Sequence, residues 1–222
     1  MAAAEKKRVG FAAAELVKAG MIVGLGTGST AAFFVDGVAA RGLTIRCVPT
    51  SEATAAMARA RGLEIVSLRD VERIALTVDG VDEVDTNLRA IKGGGGALMR
   101  EKIVASLSDQ VVYIGDSSKL VGTLGAFPLP VEVSPFAAPA IQRQLTNAGA
   151  EVTLREANGQ PFVSDEGHWI LDAAFKQIDD PEKFDTLLNS TPGVVAHGLF
   201  IGLIDRMLIA RGDEVKALDG TG

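Results

Sequence analysis

The stretch Lys92-Gly93-Gly94-Gly95-Gly96-Ala97-Leu98-Met99-Arg100-Glu101-Lys102 sets a cation before four consecutive glycines and a carboxylate soon after them. Glycine loses more conformational freedom on folding than any other residue, so ordering four in a row is costly. A chain tolerates that where backbone must come close to a ligand or adopt positive φ. The run lies between an apolar strand-like segment and an apolar helix-like one, whereas flexible linkers are rich in Ser and Gly with polar flanks. It reads as a site in which the folded loop brings Lys92 and Glu101 together. Glu101 has Ala97 and Ala105 one turn to either side, so nothing bulky need cover it. Arg100 and Lys102 adjoin it but point about 100° away around the helix, so neither is its natural partner. Water exclusion would raise the pKa of this carboxyl, while its helix-opening position would lower it.

Two further groups could share that site. Met21 to Leu25 reads as a buried strand, followed by Gly26-Thr27-Gly28-Ser29-Thr30 and a helix over Ala31 to Arg41 capped by Ser29 or Thr30. Strand, glycine-hydroxyl loop and helix form an anion-binding arrangement, with N–H groups and the positive helix end facing the ligand. A dinucleotide fingerprint fits at Gly24 and Gly26 but meets Ser29 at its third glycine; Glu52 stands where a ribose contact would be. The nucleotide P-loop needs a lysine that is missing here, and a small phosphate or sugar hydroxyls suit Ser29 and Thr30 better. Asp79-Gly80-Val81-Asp82-Glu83-Val84-Asp85 leaves the end of a strand over Ile74 to Val78. Its spacing does not match a Ca²⁺ loop, which leaves solvated acids in a surface turn or, as preferred, acid–base work and sugar-hydroxyl binding. Lys119, after the strand Val111 to Ile114, is a further candidate to hold an anion.

The elements that would position these residues alternate. Helices over Glu5 to Ala19 and Thr50 to Arg61, and strands over Leu43 to Pro49 and Glu64 to Leu68, complete a Rossmann-like α/β pattern. It implies a mostly parallel sheet with helices on both faces and ligands beyond the carboxyl ends of the strands. Pro128 and Pro130 mark a boundary. From residue 129 to 200 the order becomes βαββαβ, with strands at Val131 to Ser134, Glu151 to Arg155, Trp169 to Ala173 and Gly193 to Leu199 and helices at Ala137 to Ala148 and Pro181 to Leu188. That order suggests a small split-βαβ, ferredoxin-like α+β domain. Met207 to Ala210 and Glu214 to Leu218 return to the first sheet, giving a larger domain of residues 1–128 and 201–222.

Composition narrows the classes. The chain of 222 residues carries a net charge of −6, which argues against a nucleic-acid surface. Cys47 is the single cysteine and His168 and His197 are the two histidines, so neither a disulfide framework nor a Cys- or His-rich metal site is expected. Neither a signal peptide nor a membrane span is visible, and the cytoplasm is the expected location.

With these motifs assembled, the chain resembles the type A ribose-5-phosphate isomerases. The resemblance runs nearly end to end through Gly24 to Thr30, Asp79 to Glu83, Lys92 to Lys102, Asp116-Ser117-Ser118-Lys119 and Pro192 to Phe200. It implies interconversion of D-ribose 5-phosphate and D-ribulose 5-phosphate in the non-oxidative pentose phosphate pathway, with no metal or organic cofactor. By motif, Glu101 corresponds to the catalytic base, and Asp79, Asp82 and Lys92 to the active-site acids and lysine. Thr27, Gly28, Ser29, Thr30, Gly80, Val81, Gly93, Gly94, Gly95 and Lys119 correspond to substrate-binding positions, with Lys6 beside the phosphate. The resemblance further implies a homodimer or a tetramer. Asp79, with Asp82 assisting, is the candidate for opening the sugar ring. Two other classes use related folds: a non-catalytic sugar-phosphate sensor and a transferase with a glutamate nucleophile.

Overall fold

The computed structural model describes residues 2–220; Met1, Thr221 and Gly222, which fall in the larger expected domain, lie outside the described residues. Its largest sheet has seven strands in the order Glu214–Asp219, Arg206–Arg211, Val111–Asp116, Leu76–Gly80, Ile22–Leu25, Arg46–Pro49, Glu64–Ile65. All neighbours are parallel except the edge hairpin of the two C-terminal strands. The strand order therefore reverses between Ile22–Leu25 and Leu76–Gly80, and a crevice opens beyond their carboxyl ends.

Apolar side chains alternate between the two faces of these strands. On one face Val23, Leu25, Cys47, Val78, Val112 and Ile114 pack under helices α1 (Ala2–Ala14) and α2 (Ser29–Ala40), through Val9, Ala13, Phe34, Val35 and Val38. On the other, Val48 and Ile74 meet Val104 of helix α4 (Leu98–Ser106), and Val111 and Tyr113 join its Ala105. Helix α3 (Glu52–Ala60) opens with Ser51 accepting from Thr54 N–H. Leu76–Gly80 runs two residues beyond the expected strand end, so Asp79 and Gly80 lie in the sheet itself.

A four-stranded antiparallel sheet follows, ordered Val194–His197, Leu129–Val133, Trp169–Ala174, Glu151–Leu154. This is the ferredoxin-like arrangement expected from the βαββαβ order. Helices α5 (Ala138–Asn147) and α6 (Pro181–Asn189) bury Ile141, Leu145 and Leu188 against Val131, Val133, Leu171 and Ala173. The opposite face, through Ile170, packs on Leu98 at the start of α4.

One expected strand divides. The strand expected over Gly193 to Leu199 ends at His197, and Leu199–Phe200 pairs instead with Ala90–Ile91. Ala90–Ile91 also pairs with Glu83–Val84, making a three-stranded sheet between the two larger ones. Gly198 is the crossing point: its N–H donates to Pro130 O at 2.7 Å and its carbonyl accepts from Lys92 N–H at 2.9 Å. A Cβ on Gly198 would stand 2.3 Å from Lys92 O, so only glycine fits. A hairpin at Glu156–Ala157 and Gln160–Pro161, turned by Asn158 and Gly159 with positive φ, adds two short strands to the expected order.

Helices α1 and α2 cross closely because both carry glycine at the contact. A Cβ on Gly10 would lie 2.7 Å from Phe33 Cβ and 2.8 Å from the α2 backbone. Gly10→Ala should therefore destabilise the fold by about 1–3 kcal/mol of overpacking, partly offset by the better helix propensity of alanine. Thermal unfolding checks this, and an unchanged or raised Tm would show that the two helices separate without loss.

Candidate active site

The glycines of the first loop answer to their neighbours on the adjacent strand. A Cβ on Gly24 would sit 1.9 Å from Thr77 Oγ1, and one on Gly26 would sit 2.1 Å from Asp79 Oδ1. The bare Gly26 backbone lets the Asp79 carboxylate lie against the loop, where Oδ1 accepts from Thr27 N–H at 3.1 Å and Gly80 N–H at 2.7 Å. Helix α2 begins at Ser29, earlier than expected. Its N-cap is Gly28, at φ 116°, and no side chain caps it, which corrects the assignment of that role to Ser29 or Thr30. The first-turn amides thus remain free of a side-chain cap, and the Ser29 hydroxyl instead accepts from Lys6 Nζ at 3.0 Å. A bare helix N-terminus beside a lysine favours an anion.

Lys92 stands at the centre. Only 3 % of its side chain is exposed, and Nζ lies 3.0 Å from Asp79 Oδ2 and 3.5 Å from Glu101 Oε2. It donates to Gly80 O at 2.5 Å and lies 4.9 Å from the Tyr113 ring centroid and 5.8 Å from that of Phe200. Burial pulls its pKa down, but Asp79 and Glu101 more than offset this and leave it above the ordinary lysine value. Lys92 is thus a fixed cation.

Glu101 is carried in the first turn of α4 and is 3 % exposed. Its Oε2 takes no hydrogen bond from any described residue, the Lys92 contact being long. Burial first, then the nearby Asp79 charge, push the carboxyl up to about 8 against the pull of Lys92. The competition between burial and the helix opening is therefore decided by burial. The adjacent residues do face elsewhere: Arg100 pairs with Glu52 at 2.9 Å and Glu166 at 2.6 Å, and Lys102 donates to Leu199 O at 2.8 Å. Burial also raises Asp79, with Lys92 and the two amides pulling against it.

The glycine run forms a tight turn, with Gly96 N–H donating to Gly93 O at 3.0 Å and positive φ at Gly93 and Gly96. Gly94 N–H donates to Asp82 Oδ2 at 2.8 Å. These groups enclose a cavity of about 260 Å³, lined by Lys6, Thr27, Gly28, Ser29, Thr30, Gly80, Val81, Asp82, Lys92, Gly93, Gly94, Gly95, Glu101 and Lys119. All but one of the residues selected from the sequence line it. The exception is Asp79, which sits behind the wall with both oxygens engaged by Thr27, Gly80 and Lys92.

Other readings change. Asp79, Glu83 and Asp85 are buried, so this segment is no solvated turn. Glu83 accepts from Gly125 N–H and Phe127 N–H at 2.7 and 2.6 Å, and Asp85 pairs with Arg89 at 2.6 Å. Glu52 is spent on Arg100 at the surface, away from any ribose position in this cavity. Sequence reasoning did not give Tyr113 and Phe200 under Lys92, nor Gly198 on its backbone, nor Arg155, which donates to Gly93 O at 2.9 Å. For Gly198 and Phe200 the late glycine-bearing signature was the available signal; for Arg155 there was none.

The chain as a whole is similar to known relatives. The profile of the family described as ribose 5-phosphate isomerase A (phosphoriboisomerase A) matches residues 46–214. A ribose-5-phosphate isomerase A from Sphingopyxis alaskensis is 50% identical over 216 residues, 96% of this chain and 95% of that one. The solved ribose 5-phosphate isomerase A of Methanocaldococcus jannaschii superposes with a TM-score of 0.92 at 37% identity, covering 97% of this chain and 98% of that one. A D-ribose-5-phosphate isomerase solved in complex with phospho-erythronic acid gives 0.95 at 36% identity, covering 99% of each. With the profile spanning most of the chain and half the residues shared with a full-length relative, the chain belongs to the ribose 5-phosphate isomerase A family.

Proposed function

We propose that this protein interconverts D-ribose 5-phosphate and D-ribulose 5-phosphate, with Glu101 moving the proton between C1 and C2 through a cis-enediolate. The observation that carries the reading is the buried Glu101 carboxylate in the cavity wall, its Oε2 accepting no hydrogen bond from the described residues and lying 3.5 Å from the Lys92 ammonium. A carboxyl raised to about 8 is a strong enough base near neutral pH to take a proton from carbon. One carboxylate serves both carbons if it reaches both, and the transfer leaves all electrons within the sugar, so the step needs no redox partner. Charge then grows on the carbonyl oxygen. Lys92 and the loop amides can meet it, and a donor of this kind is typically worth about 3 kcal/mol.

The other end of the cavity suits the phosphate, with Lys6, Lys119, Ser29 and the uncapped start of α2. The relative's ligand, phospho-erythronic acid, supports the reading, since its planar carboxylate beside a hydroxyl-bearing carbon has the shape and charge of an enediolate. Asp82, which lines the cavity, is the better placed acid for opening the sugar ring. Asp79 acts behind it by fixing Lys92 and the first loop.

We also propose the division into residues 1–128 with 201–222 and residues 129–200, supported by the seven-stranded sheet lying wholly in the first and the four-stranded sheet wholly in the second. The cytoplasm remains the proposed compartment; among the described residues no helix is long and apolar enough to cross a membrane. A homodimer or tetramer is proposed on the family resemblance, supported by the Phe136 ring, 97% exposed in the single chain. Light scattering on the purified protein tests this, and a monomeric mass overturns it.

Glu101→Gln should keep the fold and lower kcat on the order of 10²- to 10⁴-fold, the range for loss of a general base. Near-normal turnover would remove Glu101 from that role. The ionised carboxylate is the active form, so kcat/KM should fall as pH drops through about 8 and level off above it. A profile flat from pH 6 to 9 would contradict the assignment. Turnover of ribose 5-phosphate, followed as ribulose 5-phosphate, should be unchanged by EDTA, and its loss would show a metal requirement.

A further inference from the structure

The glycine loop is held from both sides. On the cavity side, Gly94 N–H donates to Asp82. On the other, the Arg155 guanidinium donates from Nη1 to Gly93 O at 2.9 Å and Gly94 O at 3.2 Å. In a trans peptide the C=O and the next N–H share one plane and point in opposite directions. The Gly93 carbonyl and the Gly94 N–H belong to one such plane, and the Gly94 carbonyl and the Gly95 N–H to the next. Drawing both carbonyls toward Arg155 therefore turns both N–H groups the other way, toward the side where Asp82 lines the cavity. Gly95 N–H donates to no described residue.

Arg155 is itself fixed. Asp172, on the neighbouring strand, takes Nε and Nη2 at 2.9 and 2.5 Å in a two-pronged pair. The Arg155 backbone N–H donates to Ile170 O at 2.8 Å, and its carbonyl accepts from Phe162 N–H at 2.8 Å. The Phe162 ring lies under Gly96, where an added Cβ would come within 2.5 Å of it, and the guanidinium sits 5.9 Å from the same ring. With every anchor but the loop drawn from the four-stranded sheet and its hairpin, the loop is registered by a second layer of the protein. Four glycines offer the loop no internal means of choosing one set of peptide planes.

We infer that Arg155, oriented by Asp172, is a positioning residue that fixes the Gly93–Gly95 peptide planes so that the Gly94 and Gly95 N–H groups face the sugar-phosphate cavity. It touches no substrate. Its effect falls on the charge that develops during the reaction more than on the binding of the ground-state sugar. This rests on the isomerase reading for its kinetic consequence, though not for its structural one.

Arg155→Lys keeps the charge and removes the fork that spans Asp172 and the two carbonyls. In ribose 5-phosphate isomerisation it should lower kcat about 10- to 100-fold, short of the 10²- to 10³-fold typical of deleting a donor outright. KM should change by less than about threefold, and inhibition by phospho-erythronic acid should weaken in step with kcat/KM, because the loop amides serve the enediolate rather than the substrate. Guanidinium ion added to Arg155→Ala should restore part of the lost kcat. A variant with native kcat, or one whose loss follows KM or the unfolded fraction alone, overturns the inference. If the native protein itself fails to isomerise, the function falls and Arg155 is judged on amide hydrogen exchange. Faster exchange at Gly94 and Gly95 in folded Arg155→Lys then upholds it, and unchanged exchange refutes it.

Discussion

A lysine ammonium held almost wholly out of water between two carboxylates is the constraint on which the rest of this structure depends. An isolated buried charge is prohibitively unfavourable, and it persists only where partners surround it. Lys92 has Asp79, Glu101, the Gly80 carbonyl and two aromatic faces. These partners come from four different elements: Asp79 and Gly80 from a central strand, Glu101 from α4, Tyr113 from the next strand, Phe200 from the small intermediate sheet. The cluster can form only when all of these are in place. The neutralisation is unequal as well. Asp79 satisfies the lysine at 3.0 Å while Glu101, at 3.5 Å, is left with an oxygen to spare. That inequality separates a carboxylate that anchors from one that is free to react.

The arrangement explains why the first loop is so poor in side chains. Its glycines at 24 and 26 make room for Thr77 and Asp79 across the strand pair, and the carboxylate then organises the loop through its amide at Thr27. Anion-binding amides at the start of α2 and the buried cation under the floor are two results of one close strand approach.

The sequence made much of this legible because the chemistry is carried by local spacing. A lysine and a glutamate flanking a glycine run, a glycine-hydroxyl loop after a strand, and the βαββαβ order of residues 129–200 can be read without coordinates. The burial of Asp79 could not be, because its saturation depends on Thr27 and Lys92, which are 52 and 13 residues away in the chain. Local pattern likewise favoured Ser29 or Thr30 as the cap of α2, whereas the close pairing with Asp79 carries the chain straight through Gly28 into the helix. The strand broken at Gly198 looked continuous because its apolar pattern is continuous; the break is imposed by the Lys92 backbone lying against it. Arg155 gave no signal, since an arginine and an aspartate on adjacent strands usually mean only a surface pair.

The crossing at Gly198 also bears on how the substrate gets in. That residue joins the outermost strand of the four-stranded sheet to the intermediate sheet, and its carbonyl grips the backbone of the very lysine at the centre of the charge cluster. A jaw-like swing of one sheet away from the other would pull directly on this seam and drag the ammonium from its carboxylates. With the seam intact, the charges of the chamber stand assembled before a sugar arrives.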